Sequence, residues 1–203
     1  KILDQKRLIK KKYYIKVTKN IPQKSGMGGG SMNAASILKF FLKRKIVILN
    51  KKGILEICEI LGNDVKIGLY KGPVFLSSNN SIKKLKKGLS YHLLIFKPKI
   101  GCSTKYVFSK FKNLSMKIPS NKKNLLKLNN KRNDLEPIVL KKLKNINKPL
   151  FFLKSLKGIE FVRMTGSGSS FVAYFKSKKN LLNASKLFTN KYKKYWSVMS
   201  KTI

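Results

Sequence analysis

Glycine occupies positions 26, 28, 29 and 30, inside the run Ile21-Pro22-Gln23-Lys24-Ser25-Gly26-Met27-Gly28-Gly29-Gly30-Ser31-Met32-Asn33-Ala34-Ala35. Each glycine loses more backbone freedom on folding than any other residue, so such a cluster marks a place where the chain needs positive φ or a close approach. Upstream, residues 13–17 (Tyr-Tyr-Ile-Lys-Val) alternate as a strand does, and Pro22 ends that pattern. Downstream, Ala35, Leu38, Phe41 and Leu42 recur at helical spacing over 32–45. Strand, glycine turn and helix in that order aim backbone N–H groups and the positive end of a helix dipole into one concavity, which suits phosphate. A flexible linker has no such flanks. No Gly-Lys-Ser/Thr closes the turn, so it is not a Walker A loop, and the glycines do not space as Gly-x-Gly-x-x-Gly, so a dinucleotide-binding turn is excluded too.

The rest of the chain predicts strands interleaved with helices. Residues 1–12 place Ile2, Leu3, Leu8 and Ile9 on one helical face with no start signal, as if the chain opened inside a helix. Residues 51–61 read as a helix closed by Gly62. Val-Phe-Leu-Ser-Ser at 74–78, Ser-Ile-Lys-Lys-Leu at 81–85 and the run 91–98 read as strands, and 103–113 as a helix. The polar stretch 118–132 reads as a loop or lobe boundary. Asn133 with Glu136 three residues on is a capping-box pattern opening a helix. A second helix near 149–156, a strand at 160–164, the turn Thr165-Gly166-Ser167-Gly168-Ser169-Ser170, a strand at 171–175, a helix over 178–189 and a strand over 193–199 follow. Several adjacent strand pairs among the helices argue for an α+β fold.

At 203 residues and 42% hydrophobic, the chain can bury its core without disulfides or metals. Cys58 and Cys102, with no Cys-x-x-Cys and the single histidine His92, suggest reduced thiols rather than a zinc site. No apolar run is long enough to span a bilayer, so a cytoplasmic protein with no membrane partner is expected. The formal charge of +40 points towards polyanions. Yet only Arg7, Arg44, Arg132 and Arg163 are arginines, and base-edge readers lean on arginine. The lysines are spread along the whole chain with abundant asparagine and isoleucine, as an A/T-rich genome produces, so no specific nucleic acid is expected. The charge favours anionic small molecules all the same.

Asp64 follows the helix 51–61 and Gly62, in a chain with 7 Asp and Glu residues. By itself, Asn63-Asp64 reads first as a turn after a helix.

Lys19 and residues 21–35 resemble the ATP-binding signature of the GHMP kinases, in the form carried by the kinases of 4-diphosphocytidyl-2-C-methyl-D-erythritol. Met27 stands where that family has leucine, and Met32 where it has a second serine. Leu61-Gly62-Asn63-Asp64-Val65 is similar to the family's Gly-Ala-Asp-Val-Pro segment. Lys97-Pro98 through Thr104, Asn133-Asp134-Leu135-Glu136 and Met164 to Ser170 resemble later family segments, in the same order. The family's opening Ala-Lys-hydrophobic-Asn and Gly-Tyr-His segments have no counterpart, so the chain is read as starting part-way into the first lobe and lacking the lysine and cytidine-holding groups found there.

The resemblance implies a GHMP kinase fold, with an incomplete ribosomal protein S5 domain 2-like lobe over 1–90 and a ferredoxin-like lobe over 91–203. It implies ATP-dependent phosphorylation of the 2-hydroxyl of 4-diphosphocytidyl-2-C-methyl-D-erythritol in non-mevalonate isoprenoid synthesis. Pro22, Gln23, Lys24, Ser25, Gly26, Met27, Gly28, Gly29, Gly30, Ser31 and Met32 would wrap the ATP phosphates, with Asp64 as the base. Mg²⁺ would bridge phosphate oxygens with no dedicated protein metal site, in a monomer or homodimer. Three alternatives remain: another GHMP kinase acting on homoserine, mevalonate or a sugar, against which the triple glycine, Asn33 and the Asp64 context argue; a basic nucleic-acid-binding protein; and a chain that cannot catalyse by itself for want of the upstream lysine and cytidine site.

Overall fold

The computed structural model describes residues 1–77, 79, 81–85, 88, 90–111 and 132–202. These form two compact units, Lys1–Asn20 with Gly28–Gly88, and Ile21–Met27 with Leu89–Ile203.

The first unit is built around α2 (Gly29–Lys43), which follows a short α1 (Ile2–Gln5). Ala35, Leu38 and Phe41 are the buried stripe of α2, three residues apart as a helical face requires. Ala35 and Leu38 pack with Ile57 and Cys58 of α3 (Lys51–Leu61) and with Val65 at the start of α4 (Val65–Gly68). Asn50 caps α3, its side chain accepting the Gly53 amide at 2.9 Å. A small antiparallel pair, β1 (Val74–Leu76) and β2 (Ile82–Lys84), completes the unit in the register Phe75 to Lys83. Burial pushes the Cys58 thiol up from its ordinary range, opposed by the nearby Lys66 ammonium.

Two expectations fail in this unit. The helix expected over 1–12 covers only Ile2–Gln5. Residues 13–17 join no ladder among the described residues, and Tyr14 is 92% exposed. Alternation specifies which face a strand would show, but only a neighbouring strand satisfies its backbone. Tyr13 instead lays its ring 4.9 Å from that of Phe41.

The second unit runs β3 (His92–Lys97), α5 (Thr104–Lys110), α6 (Glu136–Lys142), a 3-10 turn (Lys144–Ile146), α7 (Asn147–Lys154), β4 (Ile159–Met164), β5 (Phe171–Phe175), α8 (Lys178–Lys191) and β6 (Trp196–Lys201). The sheet order is β4-β5-β3-β6, every neighbour antiparallel. A βαββαβ chain with its first and third strands central is the ferredoxin-like arrangement. Along β3 the pleat buries Leu94 and Phe96 while Leu93 and Ile95 stay half-buried, and His92 sits half-buried at the strand's start. Phe96 meets Phe171 at 5.7 Å and Phe188 at 4.9 Å between ring centroids. Leu181, Ala184 and Phe188 are the buried face of α8, capped by Ser177. The loop expected over 118–132 lies outside the described residues except for Arg132.

Replacing Phe96 by alanine empties the centre of this cluster and should lower unfolding stability by about 3–5 kcal/mol. Phe151→Ala, at a position 75% exposed, should change it by less than about 0.5 kcal/mol. Urea unfolding of the two variants separates these outcomes.

Candidate active site

The glycine run is divided between the two units, and each part is held differently. In the second unit, Lys24, Ser25 and Gly26 present three successive carbonyls to the turn between β4 and β5. The Lys24 oxygen accepts the Ser169 amide at 3.1 Å, the Ser25 oxygen accepts the Ser170 amide at 3.1 Å, and the Gly26 oxygen accepts the Thr165 hydroxyl at 3.3 Å. Successive carbonyls share a side only when the backbone curls, and Lys24 and Gly26 do so with φ of 52° and 68°. The amides of the curled segment then face the other side.

The contact between these two backbones leaves no room for a side chain at Gly26. A Cβ on Gly26 would lie 2.5 Å from both the Gly168 nitrogen and the Thr165 oxygen. The turn is also tied to the loop after β3, where the Ser169 hydroxyl accepts the Cys102 amide at 2.8 Å. Lys97, buried at the end of β3, donates to the Pro98 carbonyl at 2.9 Å. Burial and, second, the neighbouring Lys24 ammonium hold the Lys97 ammonium below the ordinary lysine range. An anion arriving beside this pair of cations would relieve that repulsion.

In the first unit, Gly28 adopts φ 63° and serves as N-cap of α2, with no side chain to occupy the first amides. The helix closes only with the Met32 amide on the Gly28 carbonyl at 2.9 Å. The amides of Gly29, Gly30 and Ser31 thus lie ahead of the first helical bond, at the positive end of a 15-residue dipole. This start, three residues earlier than Met32, follows from the left-handed cap that only glycine adopts at ease.

The short α4 lies against the beginning of α2. A Cβ on Gly68 would be 2.6 Å from the Ala35 Cβ and 3.1 Å from the Met32 sulfur, so the two helices meet there nearly backbone to backbone. Lys39 fastens the contact by donating to the Gly68 carbonyl at 2.9 Å, a cation at a helix C-terminus. Met32, where a serine was expected, packs over Gly68. Asp64 sits at the N-cap of α4, one turn, about 6 Å of rise, from that contact. Its carboxylate is exposed and makes no capping bond, so it is not engaged in holding its own helix.

The chain matches the family model for the GHMP kinases N terminal domain over residues 1–76. It is 44% identical over 208 aligned residues to the 4-diphosphocytidyl-2-C-methyl-D-erythritol kinase of Pelagibacter ubique, covering 100% of this chain and 74% of that relative. The chain belongs to this family of GHMP kinases. The fold agrees: a solved 4-(cytidine 5'-diphospho)-2C-methyl-D-erythritol kinase superposes with a TM-score of 0.66 at 21% identity, over 89% of this chain and 68% of that one. The homoserine kinase of Cytophaga hutchinsonii gives the same TM-score of 0.66 at 16% identity, over 92% and 68%. Fold alone therefore does not separate the two kinases, whereas the sequence likeness does.

Within this GHMP kinase, Pro22, Gln23, Lys24, Ser25, Gly26 and Met27 fall in the second unit, and Gly28, Gly29, Gly30, Ser31, Met32 and Asp64 in the first. Asn133 and Glu136 do not form the expected capping box. α6 starts at Glu136 with Leu135 at its N-cap, and Pro137, lacking an N–H, lessens the need for a cap. The Asn133 amide instead donates to the carbonyls of Met164 at 3.0 Å and Gly166 at 2.7 Å, and Glu136 accepts the Met164 amide at 2.9 Å. Both belong to the architecture around the loop, and a local capping pattern hid them.

Gly26→Ala forces a Cβ into backbone at positive φ and should cost more than about 2 kcal/mol. Gly30→Ala, inside α2 with nothing within 4 Å of the added carbon, should be neutral or stabilising by up to about 1 kcal/mol. Chemical denaturation of both variants checks the pair.

Proposed function

We propose that the protein transfers the γ-phosphoryl group of ATP to the 2-hydroxyl of 4-diphosphocytidyl-2-C-methyl-D-erythritol. The observation that carries this reading is the glycine-capped start of α2, with its uncommitted amides, in one unit with an α4 whose N-cap carboxylate is equally uncommitted. The likeness to a kinase of that substrate along the whole chain supports the choice of acceptor.

In the proposed reaction, residues 22–32 wrap the ATP phosphates, the backbone amides after Pro22 donate to them, and the dipole of α2 favours their negative charge. Asp64 accepts the proton of the 2-hydroxyl as its oxygen bonds to the γ-phosphorus. The bond from that phosphorus to the β,γ-bridging oxygen breaks, and ADP leaves with the electron pair. The Ser31 hydroxyl is the side-chain oxygen of the helix start available to a phosphate or its counter-ion. Mg²⁺ would be carried chiefly by phosphate oxygens. Bound with the nucleotide, Mg²⁺ would neutralise charge on the β- and γ-phosphates.

Among the described residues no helix is long and apolar enough to cross a membrane. The high positive charge would attract both anionic substrates from a distance, so KM should rise with ionic strength.

Asp64→Asn keeps the shape of the side chain and removes the base. In the intact protein kcat should fall by about 10²–10⁴-fold while ATP affinity, measured by titration calorimetry, stays nearly unchanged. A variant that turns over normally, or that loses ATP binding in step with kcat, contradicts the role given to Asp64.

A further inference from the structure

β4 is an edge strand, and its last residue, Met164, has backbone groups that face away from β5. Among the described residues no strand covers them. Two side chains do so: Glu136 accepts the Met164 amide at 2.9 Å, and Asn133 donates to the Met164 carbonyl at 3.0 Å. The second amide hydrogen of Asn133 reaches the Gly166 carbonyl at 2.7 Å, inside the turn. Its side-chain oxygen accepts the Leu135 amide at 3.0 Å, which fixes the orientation of the whole group. All the donor capacity of this asparagine is spent, and aspartate at the same position has none.

The turn so held is the one whose Thr165, Ser169 and Ser170 bind the carbonyls of Gly26, Lys24 and Ser25. The chain of contacts runs from Asn133 and Glu136, through Met164 and Gly166, to residues 24–26, and it lies wholly within the second unit. We propose that Asn133 and Glu136 are positioning residues for the nucleotide: standing in for a missing strand, they fix the β4–β5 turn and through it the curl of Lys24 to Gly26. They touch no substrate. This rests on the reading that the loop binds ATP, and it adds that the loop's geometry is set by a side-chain pair more than a hundred residues away in sequence.

The pair differ in what they tolerate. Glu136 acts here as an acceptor, and glutamine keeps an acceptor oxygen at the same reach. Asn133 acts as a double donor, and Asn133→Asp sets a carboxylate against two carbonyls.

The test uses the intact protein, with ATP as the probe, in three variants: N133D, E136A and E136Q. For N133D and E136A, hydrogen exchange at the Ser169 and Ser170 amides of the ligand-free protein should quicken by about tenfold or more. The KM for ATP should rise by a similar factor, with kcat at saturating ATP close to wild type. E136Q should restore both readouts. Should N133D fail to fold, the contrast between E136A and E136Q decides alone. Equal ATP affinity in wild type, N133D and E136A, or an E136Q that fails as E136A does, overturns the positioning role. A wild-type protein that binds no ATP overturns instead the reading of the loop, and the exchange data then show separately whether the turn is clamped.

Discussion

Three adjacent carbonyls, those of Lys24, Ser25 and Gly26, are bonded to the turn between β4 and β5, and the order of the second unit's loops depends on that seam. Each bond is worth only about 0.5–1.5 kcal/mol net, but leaving such a group buried and unpaired costs about 1–3 kcal/mol. The seam therefore dictates sequence on both sides. Gly26 must be small because backbone faces it, and Thr165 must carry a hydroxyl. Ser169 serves twice, its amide on Lys24 and its hydroxyl on Cys102. A phosphate-binding backbone needs this kind of rigidity, since amides that must be ordered at the moment of binding lose affinity to entropy.

The first unit obeys the same rule with different means. Close approach of α4 to α2 at Gly68, fastened by Lys39, places Asp64 on a support that packing holds rather than on a loose connection. Met32 is explained by this contact. Where the family pattern calls for a hydroxyl, a flexible thioether covers Gly68 instead, leaving Ser31 as the serine of the helix start.

What could be read from residue order was what is local or periodic. The stripes Ala35, Leu38, Phe41 and Leu181, Ala184, Phe188 repeat within one helix, so the spacing shows the buried face directly. The glycine run was legible as a turn that opens a helix because that pattern is written in contiguous residues. Pairing across distance was not. Residues 13–17 alternate like a strand, but no periodicity reveals whether a partner will lie beside them. Asn133 and Glu136 carry a genuine capping pattern, yet their bonding partners lie 28 to 33 residues further on, and the stronger demand of an uncovered strand edge claims them. Lys39 to Gly68, 29 residues apart, escaped for the same reason.

The destination of the phosphoryl group decides the function. Its most direct test is phosphorus NMR of the intact protein with Mg-ATP and 4-diphosphocytidyl-2-C-methyl-D-erythritol. The expected products are ADP and one new phosphomonoester per ATP consumed, with no three-bond coupling to a carbinol proton, because the carbon bearing the 2-hydroxyl carries a methyl group and no hydrogen. ATP hydrolysed to inorganic phosphate with no new ester, or an ester formed on homoserine and not on this alcohol, would contradict it.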